Sequence, residues 1–267
     1  MGAKTKIDWC DSTWNPVTGC RHDCAYCYAR KIAERFGGVN YEDELENRYG
    51  EYDVVRLHAE EDVHELDRPI ADFYSGKKAP YPWEFDPTFH RYRLDEPKRW
   101  KKPHTIFVCS MSDLFGDWVP DEWIEQVFRA CEAAPQHRYL FLTKNPKRYV
   151  ELYGNGILRV RDSFWYGSTI TGANEPFFFS RMPDDTPHTF CSIEPILEPV
   201  GTMQEMPDWV IVGAETGNRK GKVAPRKEWI DEIAAECKRC RKPLFMKDSL
   251  RDLMGDDFKQ EFPWEVK

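Results

Sequence analysis

Three cysteines lie within eight residues of one another near the start of the chain. Cys20, Cys24 and Cys27 belong to the segment TWNPVTGCRHDCAYCYARK, which begins at Thr13, and no fourth cysteine follows closely. Cysteine thiolates hold iron–sulfur clusters, and a cubane [4Fe-4S] cluster contains four irons. Three thiolates therefore leave one iron without a protein ligand, and a small molecule can bind there.

S-adenosylmethionine is a small molecule of this kind, because its amino and carboxylate groups can chelate the open iron. An electron from the reduced cluster would then break a carbon–sulfur bond and yield a 5′-deoxyadenosyl radical. That radical abstracts hydrogen from unactivated carbon, which no side chain can do. The cofactor would thus carry the chemistry, while the protein supplies position and excludes water.

The same cysteines admit a second interpretation. A structural zinc ion takes four ligands in a tetrahedron, and His22 or Cys10 would complete the set. A zinc-stabilised binding or adaptor protein is therefore the alternative to an enzyme. The colour of anaerobically purified protein separates the two, because a protein with a cubane cluster is brown and a zinc protein is colourless.

The other cysteines are expected to be less important. Cys237 and Cys240 form a CxxC at the end of a predicted helix, where they are either a redox or auxiliary-cluster pair or ordinary helix residues. The basic residues around them are typical of a helix C-terminus, and no further ligands stand near. The cysteines that lie within apolar patterns are predicted to be small buried side chains. These are Cys10, Cys109, Cys131 and Cys191.

Composition limits the classes of protein that this chain can be. It has 267 residues, 41% of them hydrophobic, which suits one large α/β domain spanning residues 1–267. No run of about 18 apolar residues is present, and the first residues, MGAKTKIDW, lack a signal-peptide core, so we expect a cytoplasmic protein with no membrane partner. The net charge of −8 disfavours a nucleic-acid partner, although a local basic groove would not be visible in this sum.

Six apolar runs in the rest of the chain each end in small or polar residues. Both faces of each run are apolar, which predicts buried parallel strands. The runs are HTIFVCSMSD (from His104), RYLFLTKNP (from Arg138), FWYGSTIT (from Phe164), HTFCSIEP (from His188), DWVIVGAETG (from Asp208) and PLFMKDS (from Pro243).

Helical patterns separate some of these strands. PDEWIEQVFRACEA and PRKEWIDEIAAECKR each place apolar residues on one face after a proline-containing start. With further strands at TWNPV and YDVVRL, the chain would contain seven or eight β/α units. Such alternation predicts a parallel sheet, either closed as a barrel or open and doubly wound.

The segment from about residue 39 to 103 breaks this alternation. It is dense in charged and aromatic residues, as in YEDELENRYGEYD and YPWEFDPTFHRYR, and it contains several prolines. We expect an insertion that packs over one end of the sheet, either as a lid or as a structural cover.

The motif CRHDCAYC resembles the signature of the radical S-adenosylmethionine superfamily, in which an aromatic residue, here Tyr26, precedes the third cysteine. TWNPVTGC, SMSDLF, LTK, SIEP, DWVIVGAETG and PLFMK are similar to an uncharacterised branch often met in phages and prophages. The resemblance implies a partial or complete (β/α) TIM-type barrel with the cluster at its mouth, and an electron donor such as flavodoxin or ferredoxin. It implies no substrate, so a nucleoside or nucleic acid, a peptide and a small metabolite all stay open.

The resemblance also implies roles for particular residues. Cys20, Cys24 and Cys27 would ligate the cluster, and the backbone near Tyr26 would meet the adenine. Barrel sites gather at the carboxyl ends of strands, so strand-end residues should contact S-adenosylmethionine or the substrate. For the methionine part or the substrate these are Ser110, Met111, Ser112 and Asp113; for the ribose, Thr169 and Glu194; for the adenine side, Gly213 and Glu215.

Two lysines, Lys144 and Lys247, follow strands and would point inward as substrate contacts. Together with Asp113 they are the candidates for catalytic residues. For every strand-end residue the alternative is a helix cap or a paired charge.

Overall fold

The structure is a computed structural model that describes residues 5–37, 55–58, 63–71, 78–173, 188–203 and 205–265. Its strands, in chain order, are β1 (Ser12–Trp14), β2 (Val17–Thr18), β3 (Val55–His58), β4 (Val63–Leu66), β5 (Thr88–His90), β6 (Thr105–Val108), β7 (Arg138–Thr143), β8 (Phe164–Ile170), β9 (Thr189–Ile193), β10 (Trp209–Val212) and β11 (Leu244–Met246). Its helices are α1 (Tyr28–Phe36), α2 (Glu96–Arg99), α3 (Asp121–Glu132), α4 (Lys147–Gly154), α5 (Lys227–Cys240) and α6 (Arg251–Met254).

The larger sheet of the described chain has seven strands in the order β1-β6-β7-β8-β9-β10-β11. Every neighbouring pair in it is parallel. The sheet curls into a half-barrel with helices around it, which confirms the predicted partial TIM-type α/β fold. All six apolar runs and TWNPV contribute a strand, as predicted.

The two faces of the sheet bury different partners. On the outer face, residues such as Ile106 and Val108 pack with α3 in one hydrophobic cluster. On the inner face, Phe107 packs with Trp9 and with aromatic residues of the later strands. Side chains of a strand alternate between its faces, so each strand needs apolar residues throughout. This explains why the runs show no polar alternation.

The predicted helices form with the predicted faces inward. In α3 the buried side chains are Trp123, Ile124, Val127, Phe128 and Cys131, as the spacing indicated. In α5, Ile230, Ile233 and Cys237 are buried, while Trp229 and Ala234 are partly buried against the same cluster. In the described part of the chain no helix has the length and apolarity needed to cross a membrane.

A smaller sheet lies within and beside the segment 39–103, part of which is outside the described residues. Its strand order is β2-β5-β4-β3. The prediction that YDVVRL adds a further β/α unit was wrong, because its strand β3 pairs antiparallel with β4 in this sheet. A parallel pairing needs a crossover of a dozen or more residues, and only four separate β3 from β4.

One buried carboxylate fastens the smaller sheet to the larger one. Glu65 of β4 accepts a hydrogen bond of 2.6 Å from the indole N–H of Trp123 in α3. Its other oxygen accepts one of 2.6 Å from Arg91. Because both carboxylate oxygens have partners, the insertion is fixed against α3 by specific polar contacts as well as by apolar packing.

Candidate functional site

A cavity of about 210 Å³ lies at the carboxyl ends of the strands of the larger sheet. Twelve of the residues singled out from the sequence line it. They are Cys20, Cys24, Tyr26, Cys27, Ser110, Ser112, Asp113, Lys144, Thr169, Glu194, Glu215 and Lys247. Parallel strands bring their carboxyl ends to one edge, which is why residues so far apart in sequence meet there. We call this the carboxyl-end cavity.

The three cysteines lie on one wall, in the turn that connects β2 to α1. Their thiols are half-buried. Cys27 is the N-cap of α1, and its sulfur accepts a hydrogen bond of 3.3 Å from the backbone N–H of Arg30. The backbone N–H of Cys20 donates to the carbonyl of Phe85 at 3.2 Å, which ties the turn to the insertion.

Burial affects the pKa of two of these thiols, Cys20 and Cys24. It raises the pKa of Cys20 to about 12 and also raises the pKa of Cys24. A thiolate, not a thiol, is the ligand for a metal. A bound cation would therefore compensate the desolvation that keeps these groups protonated.

Asp113 joins the cysteine turn to the ends of β6 and β7. Its carboxylate interacts with Nε2 of His22 at 2.7 Å and accepts hydrogen bonds from the hydroxyl of Thr143, at 2.7 and 3.0 Å. It also accepts from the backbone N–H groups of Lys144, at 2.8 Å, and Phe115, at 3.0 Å. The side chain is nearly inaccessible, so Asp113 holds the wall of the cavity together.

The residues near Tyr26 connect the cysteine turn to the same strand ends. Nζ of Lys144 donates to the hydroxyl of Tyr26 at 2.9 Å. The hydroxyl of Tyr28 donates to the carbonyl of Ser110 at 2.6 Å, while half of the Tyr28 side chain stays exposed. The loop after β6 is also fixed by Asn15, whose side-chain oxygen accepts a hydrogen bond of 3.1 Å from the hydroxyl of Ser110.

Paired charges form the opposite wall. Lys247 donates to Glu194, so the residues after β9 and β11 are joined by a short ion pair. Glu215 is buried and binds Arg219 through both oxygens, at 2.5 and 2.7 Å, which lowers the pKa of Glu215. The carboxylate oxygens of Glu215 are thus already bound within the protein.

Two predicted site residues, Met111 and Gly213, do not line the cavity. Met111 is buried and packs against Ala29, Ala33 and Phe85, where it supports α1. At Gly213 a Cβ would come within 2.8 Å of Cδ of Lys247. Both residues therefore lie next to residues that line the cavity: Met111 beside Ala29 and Phe85, and Gly213 beside Lys247.

Sequence reasoning overlooked several residues of the wall. Thr143 and Ser192 line the cavity. Thr143 directly precedes Lys144, and Ser192 lies two residues before Glu194. Ser192 shares a strand face with Glu194, so the two-residue period could have identified it. Tyr28 and Phe85 also line the cavity, and nothing in the sequence distinguishes them from ordinary surface or core aromatics.

A second cavity, of about 630 Å³, lies at the amino ends of the strands, and we call it the amino-end cavity. It is lined by residues that precede β1, β6, β7 and β8 and by residues near the end of the described chain. Cys10 belongs to this cavity, away from the other three cysteines. Trp9 lines both cavities, so its indole forms part of the boundary between them.

The zinc alternative stays a prediction. Of its two candidate fourth ligands, His22 lies within the cysteine turn and interacts with Asp113, and Cys10 lines the amino-end cavity. A structural zinc ion takes four ligands in one tetrahedron, whereas a cubane cluster spreads its ligands over different irons.

The fold and site define an α/β half-barrel with cysteines and polar strand-end groups around its carboxyl-end cavity. The chain belongs to the family described as "Protein of unknown function (DUF5131)", whose model matches residues 4–251. No curated protein matches the chain. The predicted origin in a phage or prophage stays a prediction.

A solved structure of a cysteine-to-serine mutant of spore photoproduct lyase is also similar in shape. The TM-score is 0.44 and the identity 11%, over 92% of this chain and 80% of that one. Similarity at this level carries no argument about activity.

Proposed function

We propose that this protein is a radical S-adenosylmethionine enzyme, in which Cys20, Cys24 and Cys27 bind a [4Fe-4S] cluster. One observation carries the proposal: three half-buried thiols, spaced as in CRHDCAYC, share one cavity with polar groups from six strand ends. S-adenosylmethionine would bind in that cavity, next to the cysteine wall. The substrate that loses hydrogen is not specified by this observation.

The surroundings of the thiols suit a cluster. The backbone N–H of Arg30 already donates to the sulfur of Cys27, and hydrogen bonds to sulfur are among the factors that set a cluster's potential. The cysteine turn is held to the sheet through His22 and Asp113, so the three sulfurs would keep their spacing when iron binds. Such support around the direct ligands is typical of metal sites.

Held by Cys20, Cys24 and Cys27, a reduced cluster would supply the electron for reductive cleavage of S-adenosylmethionine. The residues of the chain would position the cofactor and exclude water. Apolar side chains below the site, such as Phe107 and Leu142, form the dry floor of the cavity. At the strand ends, Glu194 would accept hydrogen bonds from the ribose hydroxyls, and the hydroxyl of Thr169 would donate to them or accept from them.

The positively charged side chains of the cavity have distinct expected roles. Lys144 is held near the cysteine wall by Tyr26, and Lys247 is held on the far wall by Glu194. We assign Lys144 to the substrate or to the carboxylate of the methionine part. Lys247 would orient Glu194. Asp113 is a positioning residue, because its oxygens are already bound by donors of the protein.

The test is anaerobic reconstitution with iron and sulfide, followed by reduction with dithionite in place of flavodoxin or ferredoxin. The protein should carry about four irons per chain and release 5′-deoxyadenosine from S-adenosylmethionine. Replacement of Cys20, Cys24 or Cys27 by Ala should abolish both properties.

Cys10→Ala is the matched control, since Cys10 is an equally half-buried thiol in the amino-end cavity, and it should retain iron and activity. One tightly bound zinc without iron, lost in the Cys10 variant, would instead support the zinc-stabilised adaptor.

A further inference from the structure

The loop at one rim of the carboxyl-end cavity is strongly basic. It runs from Gly217 to Lys227 and connects β10 to α5, directly after the cavity-lining residues Glu215 and Thr216. Five of its eleven residues are cationic and none is acidic. They are Arg219, Lys220, Lys222, Arg226 and Lys227. The loop therefore combines a high positive charge with a position directly after two cavity-lining residues.

The loop has a defined conformation. Arg219 folds inward onto the buried carboxylate of Glu215, which also accepts from the backbone N–H of Val223 at 3.4 Å. Gly217 and Gly221 have φ angles of +83° and +77°, a region that disfavours side chains. One cation, Arg219, thus anchors the loop where the chain leaves the cavity lining at Thr216.

Three of these cations form no ion pair with the described residues. Lys220, Lys222 and Arg226 are exposed, and no carboxylate of the described residues lies within 4.0 Å of them. Nζ of Lys222 donates to the carbonyl of Gly217 at 3.4 Å, and the guanidinium of Arg226 lies 5.9 Å from the ring centroid of Trp229. Lys227 differs, since its ammonium pairs with Asp231 at 2.7 Å and with Asp257 at 2.8 Å. Three exposed cations next to a cavity form a surface suited to an extended anion.

The negative charge of the whole chain does not oppose this conclusion. The net charge is −8, but charges beyond about 8 Å are largely screened at physiological ionic strength. A ligand in contact with the rim therefore experiences the cations of the loop more than the distant carboxylates. The sum over the chain conceals this local surface.

The cavity behind the rim offers a surface for a planar group. Tyr28 is half exposed at the cavity, and Phe85 and Trp9 also line it. Aromatic side chains stack on bases, and this stacking combined with a cationic track is how proteins hold unpaired nucleic-acid strands. Enzymes that modify a base must reach it outside the stack.

We propose that the loop 217–227 binds the phosphates of a nucleic-acid strand, and that an unpaired nucleotide of that strand is the substrate. The inference rests on the proposed function of the same site, and it adds the class of substrate. Lys220, Lys222 and Arg226 contact the phosphates, while the nucleotide enters the cavity beside Tyr28.

The test measures binding of about 20-nucleotide fluorescent single strands of DNA and RNA to anaerobically reconstituted protein, by anisotropy at several salt concentrations. The variant Lys220→Gln, Lys222→Gln, Arg226→Gln removes the three rim charges. We expect at least roughly tenfold weaker binding near 0.1 M salt. We also expect the slope of log K against log salt to shrink by about 2, since each phosphate contact contributes about 0.7 for a single strand.

The chain offers a control with the same loss of charge. Lys98, Lys101 and Lys102 are exposed near α2, which precedes β6 and so lies toward the amino ends of the strands. Replacing these three lysines by Gln should change affinity by less than about twofold and leave the salt slope unaltered. Thermal unfolding of both variants checks that the folds are equally intact.

Several outcomes would overturn the proposal. These are no binding of either strand by the parent protein, equal losses in the two triple variants, or heparin binding with the same affinity and salt slope as the oligonucleotides. Iron content and 5′-deoxyadenosine release are measured on the same samples. Active protein that binds no strand overturns only this inference. A strand-binding protein without iron overturns the proposed enzyme and with it the nucleotide as substrate, and leaves the phosphate-binding loop.

Discussion

The two ends of the larger sheet both hold a cavity, and the larger one lacks the cysteine motif. In the amino-end cavity the polar groups serve the fold: His137 binds the backbone of both His104 and Pro97, at 3.1 and 2.9 Å. Arg138 donates to Thr105 and lies 3.9 Å over the ring of Trp264. Volume alone would therefore select the amino-end cavity, whereas the cysteine motif selects the carboxyl-end cavity.

At the carboxyl end the polar groups are arranged differently. A fully buried carboxylate, Asp113, supports less buried groups such as His22 and the three cysteines of the turn. Buried groups thus position accessible ones. This arrangement, in which satisfied groups hold reactive ones, is what distinguishes a candidate site from a polar gap in the fold.

The largest expected difference is in the free energy of unfolding, between a variant of Asp113 at the carboxyl end and a variant of Asp162 at the amino end. Asp113→Asn should lower the free energy of unfolding by about 3 kcal/mol, because several buried donors lose a charged acceptor. Asp162→Asn changes an exposed carboxylate at the amino-end cavity and should cost less than about 0.5 kcal/mol. Urea unfolding of both variants measures the difference. Equal costs would remove the contrast between the ends.

Two lysines that flank β11 give the next test. Lys247 pairs with Glu194 at the carboxyl end, and Lys242 pairs with Asp208 at the amino end at 2.9 Å. Lys247→Ala should slow 5′-deoxyadenosine release roughly tenfold or more, because a shift of about 1 Å in a reacting group costs up to a hundredfold. Lys242→Ala should stay within about twofold, since it removes only an ion pair distant from the site. If both variants kept the parent rate, Lys247 would be merely structural.

A smaller change at the same site should have a smaller effect. In Gly213→Ala the new methyl group would lie 2.8 Å from Cδ of Lys247 and push that side chain aside. We expect a rate of release about threefold lower. Gly154→Ala, at the end of α4, places a methyl group in open space and should leave the rate unchanged. Equal rates for the two variants would show that the position of Lys247 is not critical.

The smallest expected difference concerns acid stability. Arg219 lowers the pKa of Glu215 at the carboxyl end. Burial raises the pKa of Asp208 at the amino end, but Lys242 and Thr189 outweigh it and the pKa is lowered. Each ionised carboxylate stabilises the fold above its unfolded pKa of about 4, and this stabilisation is lost as the pH falls through the folded pKa.

The free energy of unfolding should fall with decreasing pH below about pH 4.5, and Glu215→Gln and Asp208→Asn should each make this fall less steep. Each variant should reduce the slope by the equivalent of less than one proton bound on unfolding. Urea titrations at several pH values measure this slope. A steeper fall in either variant would contradict the assignment. Similar flattening at both ends would mean that the ends differ in chemistry and not in acid stability.

Much of the fold followed from local patterns in the sequence. The apolar runs predicted the seven parallel strands, and the spacing of Trp123, Val127 and Cys131 predicted the buried face of α3. YDVVRL was placed in the wrong sheet because an apolar strand pattern does not specify its partner. Pairing is decided by the length of the connection, and β3 turns back at once onto β4.

The candidate site was predictable in position but not in its contacts. Strand ends identified Lys144, Glu194 and Lys247, because parallel strands share an edge. The partners of these residues depend on long-range geometry: Lys247 meets Glu194 across 53 residues, and His22 meets Asp113 across 91. No local pattern contains such distances, so the sequence did not predict that Asp113 binds His22, Thr143 and backbone N–H groups of the protein. Its predicted contact with a cofactor stays a prediction.

The aromatic cluster on the inner face also determines when the fold can form. Trp9 packs there with residues from β6 to β11, and Phe262 and Trp264 pack against the same cluster. The backbone N–H of Asp248 donates to Asp8 across 240 residues of sequence. Contacts of such separation slow folding, since a long loop must close before they contribute. During synthesis, the part of the inner aromatic cluster that Phe262 and Trp264 contact therefore stays uncovered until these residues have left the ribosome.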